Sequence, residues 1–139
     1  MSAQPRRKGK KGENELARLL SAELGVLVSR NLAQAREGGN DLLLPGWSLE
    51  VKRAARPRLA EWWQQTLQQA EQSGNRPALA YRIDRHDWRV VVRLADLADN
   101  YAGQPNHVTA ELCIDGFTLL IRESLPSRPH ESTPTPELR

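Results

Sequence analysis

At 139 residues, with 39% hydrophobic and 27% charged residues and a net charge of +3, the chain can bury one core but not two ordinary domains. No apolar run approaches the ~20 residues that span a bilayer, and the basic start lacks the apolar stretch of a secretory signal, so a soluble cytoplasmic protein without a membrane partner is expected. A single Cys113 excludes an internal disulfide and a cysteine-built zinc site.

Residues 1–8 read as a flexible basic N-terminus, 9–125 as a single domain and 126–139 as a disordered tail too poor in apolar residues to offset its ordering entropy. Leu16, Leu19, Leu20 and Leu24 recur at helical spacing, which predicts a helix over 12–24 that stops at Gly25. A first strand is expected over 26–32 and a turn over 36–40. Two short strands follow, 41–44 and 47–52, joined at Pro45-Gly46. Pro57 introduces a helix over 59–72. Strands over 77–83 and 88–94 flank a polar turn, a short helix follows over 94–101, and a terminal hairpin is expected over 107–114 and 117–122 about Asp115-Gly116. The order α-β-β-β-α-β-β predicts an α/β class protein whose mixed central sheet is flanked by helices, with a C-terminal extension.

Side chains alternate along a strand, so Trp47, Leu49 and Val51 share the packing face of 47–52 while Ser48, Glu50 and Lys52 share a polar one. A short turn brings Asp41 to that polar face. Two close carboxylates repel unless a cation lies between them, and hard oxygen ligands with open water positions suit Mg²⁺. Such an ion polarises a phosphodiester and acidifies water, and Lys52 can orient that water or offset charge developing at phosphorus. A solvated strand with a Glu50–Lys52 ion pair worth ~0–1 kcal/mol accounts for the same residues.

The run Gly39-Asn40-Asp41, a hairpin, then Glu50-Val51-Lys52 resembles the core of the PD-(D/E)XK nuclease superfamily, with Asn40 where the superfamily's name has proline. The opening segment Lys8-Gly9-Lys10-Lys11-Gly12-Glu13-Asn14-Glu15-Leu16 is similar to the first helix of archaeal-type Holliday-junction resolvases, and the compact domain to small phage-type endonucleases. The resemblance covers residues 8–94 and implies a restriction-endonuclease-like core. It also implies that a glutamate of the first helix joins the metal site. Glu13 aligns with Leu16, Ala17, Leu20 and Leu24, whereas Glu15 aligns with Arg18, Leu19 and Ala22; Glu13 is therefore assigned the role, while a favourable charge at a helix start accounts for either glutamate and, for Glu15, fits as well as a place in the site. The resemblance further implies an arginine near the first strand, at Arg30, and a supporting glutamine on the helix after the lysine. Gln65, with Gln69 behind it, fits that role, and a solvated glutamine face fits as well. Trp62 and Trp63 either pack on the sheet or stack on a base.

The expected activity is Mg²⁺-dependent DNA cleavage, with Mn²⁺ as substitute, selective for branched DNA such as Holliday junctions. Asp41, Glu50 and the Val51 carbonyl hold the metal, Glu13 reaches it through water, and Lys52 and Gln65 complete the site. Lys8, Lys10, Lys11, Arg30, Arg53, Arg56 and Arg58 are candidate DNA contacts, because each neutralised phosphate releases a counterion. The resemblance also implies a homodimer. The alternative is a non-catalytic nucleic-acid-binding module that kept the nuclease fold, whose binding survives loss of both carboxylates. A metal-free structural protein of the same fold would bind no DNA even at low salt.

Overall fold

Leucines at helical spacing need a surface to cover, and in the computed structural model, which describes residues 3–25, 28–30 and 41–124, that surface is a sheet. The side chains of residues 3–9, 30 and 124 lie outside the described set. So do the turn expected at 36–40 and the tail expected from 126. Helix α1 (Ala3–Leu24) buries Leu16, Ala17 and Leu20. It begins at Ala3 rather than at Gly12, so residues 3–8, expected as a flexible extension, form its first turns. Neither Gly9 nor Gly12 ends it, because a glycine inside a helix costs only about 1 kcal/mol. Gly25 closes it through a backbone bond to the Ser21 carbonyl.

The described strands form a six-stranded sheet in the order of the sequence: β1 (Ser29–Arg30), β2 (Leu42–Leu44), β3 (Trp47–Ala54), β4 (Arg76–Ile83), β5 (Arg89–Arg93) and β6 (Thr109–Leu112). Leu42 and Leu44 are buried and Leu43 is exposed, the alternation of a strand with one face on a core. Between β2 and β3, Pro45 presets its own φ and Gly46 takes φ 81°, a conformation that favours glycine. Every strand pair is antiparallel except β3–β4. That parallel pair needs a crossover, supplied by α2 (Leu59–Ser73).

The two sheet faces carry two cores. On the α1 face, Leu16 and Leu20 join Trp47, Leu49, Val51, Val90 and Val92. On the α2 face, Trp62 and Trp63 join Leu79, Tyr81 and Val91. Both tryptophans therefore pack on the sheet, and the Trp63 indole N–H donates to the Asn106 carbonyl at 3.1 Å.

The C-terminal hairpin expectation is overturned. After β6 the chain turns into α3 (Ile114–Ser124), and Asp115-Gly116 lies in its first turn. The reason is burial: Phe117 and Ile121, four residues apart on one helical face, are fully buried in the α1-side core. Phe117 meets Trp47 edge-on, with ring centroids 5.4 Å apart. Phe117→Ala is expected to cost about 3–5 kcal/mol by leaving a cavity there, read as a lowered urea midpoint. The helix expected over 94–101 is two 3₁₀ turns, Leu94–Asp96 and Asp99–Tyr101, neither burying a residue that would favour continuing it.

Candidate active site

Strand register fixes what faces what. Glu50 lies opposite Leu79 and Lys52 opposite Tyr81, so both point to the α2 face, as alternation requires. That face is not solvated: Ser48 is 1% and Glu50 6% exposed, because the crossover helix covers a parallel pair on the side opposite α1. Asp41 sits just before β2, only 4% exposed. Its backbone N–H donates to the Leu49 carbonyl at 2.8 Å, and its Oδ2 accepts the Val51 N–H at 2.7 Å. The hairpin therefore delivers the aspartate to the strand that carries the glutamate and the lysine.

The electrostatics record how crowded this spot is. Burial, followed by the Glu50 charge, raises the Asp41 carboxyl from 3.8 to about 8, although the Val51 N–H opposes the rise. Burial also pushes the Glu50 carboxyl above its ordinary range, with Lys52 opposing. Lys52 Nζ stands 3.5 Å from Glu50 Oε2, whereas Glu50 Oε1 is buried without a partner. Glu13 adds its charge to both carboxylates, so α1 brings a third acidic group within electrostatic reach.

These residues fit a hard divalent cation. Mg²⁺ is commonly held by one or two carboxylates and keeps several waters. Two buried carboxylates whose charged forms are disfavoured, one with an orphaned oxygen, form such a donor set. Among the described residues, no three His, Cys, Asp or Glu side chains form a ready-made metal cage.

Glu15 has a separate task. Its carboxylate accepts the Trp88 indole N–H at 3.1 Å, accepts a hydrogen bond from Arg82 and stands 3.6 Å from Arg53 Nη1. One turn earlier, a Cβ added at Gly12 would lie 3.3 Å from the Arg53 Cβ, so the glycine lets α1 approach β3 closely. Arg53, one of the candidate DNA contacts, points to the α1 face, because it alternates with Lys52, and pairs with Glu15. Glu15→Gln keeps an acceptor for Trp88 but leaves two guanidinium groups facing no charge. A loss of about 1–2 kcal/mol is expected by urea unfolding, moderated by the partial exposure of these groups.

On α2, Trp63 reaches toward Asn106, the residue-106 loop preceding β6. At 100° per residue, Gln65 and Gln69 fall on the opposite flank, toward β3. Both have a buried amide oxygen without a partner, so each can still accept a hydrogen bond. Lys10, Lys11, Arg56 and Arg58 are exposed, with Arg58 3.8 Å from Glu61. The side chains of Lys8 and Arg30 lie outside the described residues. The Arg82–Arg53–Glu15–Trp88 cluster was not foreseen, and its only sequence signal was a glutamate on the less apolar stripe of the first helix.

Comparison with known proteins adds lineage to geometry. Protein D14 of Escherichia phage T5 is 26% identical, over 78% of this chain and 83% of its own length. Among solved structures, the Holliday junction resolvase Hjc of Archaeoglobus fulgidus, an archaeal hyperthermophile, is 20% identical with a TM-score of 0.47, covering 81% of this chain and 88% of that one. The family described as "Phage putative PDDEXK endonuclease" matches residues 4–119. Since that span takes in every described strand and the whole acidic and lysine cluster, the chain belongs to this phage PDDEXK endonuclease family, a family of nucleases, and has the restriction-endonuclease-like α/β fold.

Proposed function

We propose that the protein is a Mg²⁺-dependent DNA endonuclease selective for branched DNA such as Holliday junctions, with Mn²⁺ able to replace Mg²⁺. The observation that carries the metal dependence is the buried Asp41–Glu50 pair, in which the Glu50 charge raises the Asp41 carboxyl and Glu50 Oε1 is orphaned while Lys52 stands beside Oε2. Asp41, Glu50 and the Val51 main-chain carbonyl would hold the ion, with Glu13 reaching it through water. When bound, a divalent cation supplies Lewis acidity toward a phosphodiester oxygen and an acidified water.

The chain's own residues do the rest. Lys52, at the rim of the carboxylate pair, orients the attacking water and offsets negative charge as it builds on the phosphate oxygens. Gln65 offers an amide to the same water, with Gln69 behind it. Lys8, Lys10, Lys11, Arg30, Arg56 and Arg58 contact flanking phosphates and set affinity more than sequence choice. Arg53 contributes indirectly, by seating α1. The similarity of residues 8–16 to the first helix of Holliday-junction resolvases supports the branched substrate. Paired cuts on opposing strands suit a two-fold homodimer.

A cleavage panel of four-way junction, flap, single strand and linear duplex, with and without Mg²⁺ or Mn²⁺, tests this. We expect metal-dependent cutting, fastest on the junction. Equal cutting of junction and duplex would remove the branched-DNA assignment. Salt-sensitive binding that survives loss of Asp41 and Glu50, without cleavage of any substrate, would identify a non-catalytic binding module instead.

A further inference from the structure

The polar face of β3 does not end at Lys52. Register sets Lys52 opposite Tyr81 on β4, and Tyr81 opposite Arg89 on β5. Directly opposed residues share a face, so the three form a row. With neighbouring strands about 4.8 Å apart, the β5 backbone lies roughly 10 Å from that of Lys52. The row leads to a cavity of about 560 Å³ whose lining includes Pro57, Tyr81, Ile83, Arg85 and Arg89. Apolar side chains such as Ile83 and Pro57 in one lining with two arginines suit a nucleotide, since a sugar or base needs contact area and a phosphate needs bidentate donors. The cavity is of ordinary ligand size.

Two details of the lining point the same way. The Ile83 carbonyl accepts the His86 N–H at 2.9 Å, closing a turn in which Arg85 holds φ 70°. That position ordinarily belongs to glycine, yet the chain places an arginine there, beside the cavity. Glu111 also lines it, accepting the Tyr81 hydroxyl at 2.8 Å and standing 3.9 Å from Arg89 Nε. A half-exposed carboxylate at that distance holds Arg89 loosely and occupies the position of an anion that a phosphate could take. Asp87, a second carboxylate in the lining, limits how much negative charge the cavity accepts, which favours one phosphate over a polyphosphate.

We propose that this cavity holds a nucleotide of the substrate strand a few positions from the scissile phosphate, with Arg85 and Arg89 on its phosphate and Tyr81, Ile83 and Pro57 against its sugar or base. DNA binding displaces Glu111 from Arg89. The subsite rests on the nuclease reading above.

The test is fluorescence anisotropy of the full chain with a labelled four-way junction and a labelled duplex, using Ca²⁺ in place of Mg²⁺, over a range of salt. Arg85→Gly and Arg89→Ala are each expected to weaken binding about tenfold and to reduce the salt slope by about one. Arg85→Gly should at the same time raise the melting temperature, because glycine relaxes the turn, so its weaker binding cannot be blamed on misfolding. Glu111→Gln keeps an acceptor for Tyr81, removes the competing charge and is expected to tighten binding. Wild-type affinity and salt slope in both arginine variants would overturn the subsite while leaving the nuclease reading intact. A folded wild type that neither binds nor cuts DNA would overturn the nuclease reading itself. If a free deoxynucleoside monophosphate stabilises the wild type but not Arg89→Ala, while DNA affinity is the same in both, the cavity takes a small molecule and the strand assignment fails.

Discussion

Lys52→Ala is expected to slow DNA cleavage by about 10²–10³-fold, the usual cost of removing one charged group aimed at the transition state of a hydrolysis. The loss should fall on kcat more than on KM, because the transition state carries charge that bound DNA does not. Nζ stands beside Glu50 Oε2 at 3.5 Å, and Lys52 belongs to neither hydrophobic cluster, although it lies opposite Tyr81 of the α2-side one. Truncation therefore leaves the fold largely intact, and circular dichroism and anisotropy should report a folded, DNA-binding protein. One side effect is expected: Lys52 opposes the rise of the Glu50 pKa, so its removal raises that carboxyl further and should move the pH–rate profile to higher pH. Undiminished cleavage by Lys52→Ala would sink the assigned mechanism.

Asp41→Asn should abolish metal-dependent cleavage while stabilising the protein in the absence of divalent cations. The sign follows from burial. Asp41 is raised from 3.8 to about 8, so its folded form favours the neutral acid. Stability from that group is complete below the unfolded value and is lost as pH rises toward the folded one. The metal-free wild type should therefore weaken between about pH 4 and 8, and Asp41→Asn should show a shallower slope across that window. The gain near pH 8 is expected to be of order 1–2 kcal/mol, several degrees of melting temperature for a chain of this size. The amide oxygen can still accept the Val51 N–H, so the hairpin geometry survives. Mg²⁺ or Mn²⁺ should raise the wild-type melting temperature in a concentration-dependent way, more strongly at higher pH, and should not raise that of the variant. Thermal scans across pH, with and without each ion, check all of these outcomes, and a variant with the wild-type pH slope would refute the assigned cause.

Glu50 and Lys52 were legible as neighbours from alternation alone, and the Pro45-Gly46 turn made the approach of Asp41 readable without coordinates. The choice of Glu13 over Glu15 rested on which helical stripe is apolar; the structure finds Glu15 occupied by Arg82, Arg53 and Trp88 and finds the Glu13 charge acting on both carboxylates. Arg53 adjoins Lys52 in sequence but lies on the opposite sheet face, because adjacent strand residues alternate, and the pairing with Glu15 became visible only there. The C-terminal segment was misread because Asp115-Gly116 is as compatible with a hairpin turn as with a helix start. Only the space beneath Trp47, which Phe117 fills, decides between them.

The acidic and lysine cluster was thus determined by the sequence, because its members lie within one hairpin where strand period and turn length leave little freedom. Whether that cluster is a solvated ion pair or a charged site held against its own repulsion was decided by tertiary structure. The parallel β3–β4 crossover lays α2 over the polar face, and desolvation there, not spacing, pushes the carboxylates away from their charged forms. The cavity at Arg85 and Arg89 has the same origin. Its residues lie far from Lys52 in sequence and become neighbours only through pairing across three strands, a long-range contact that no local pattern encodes.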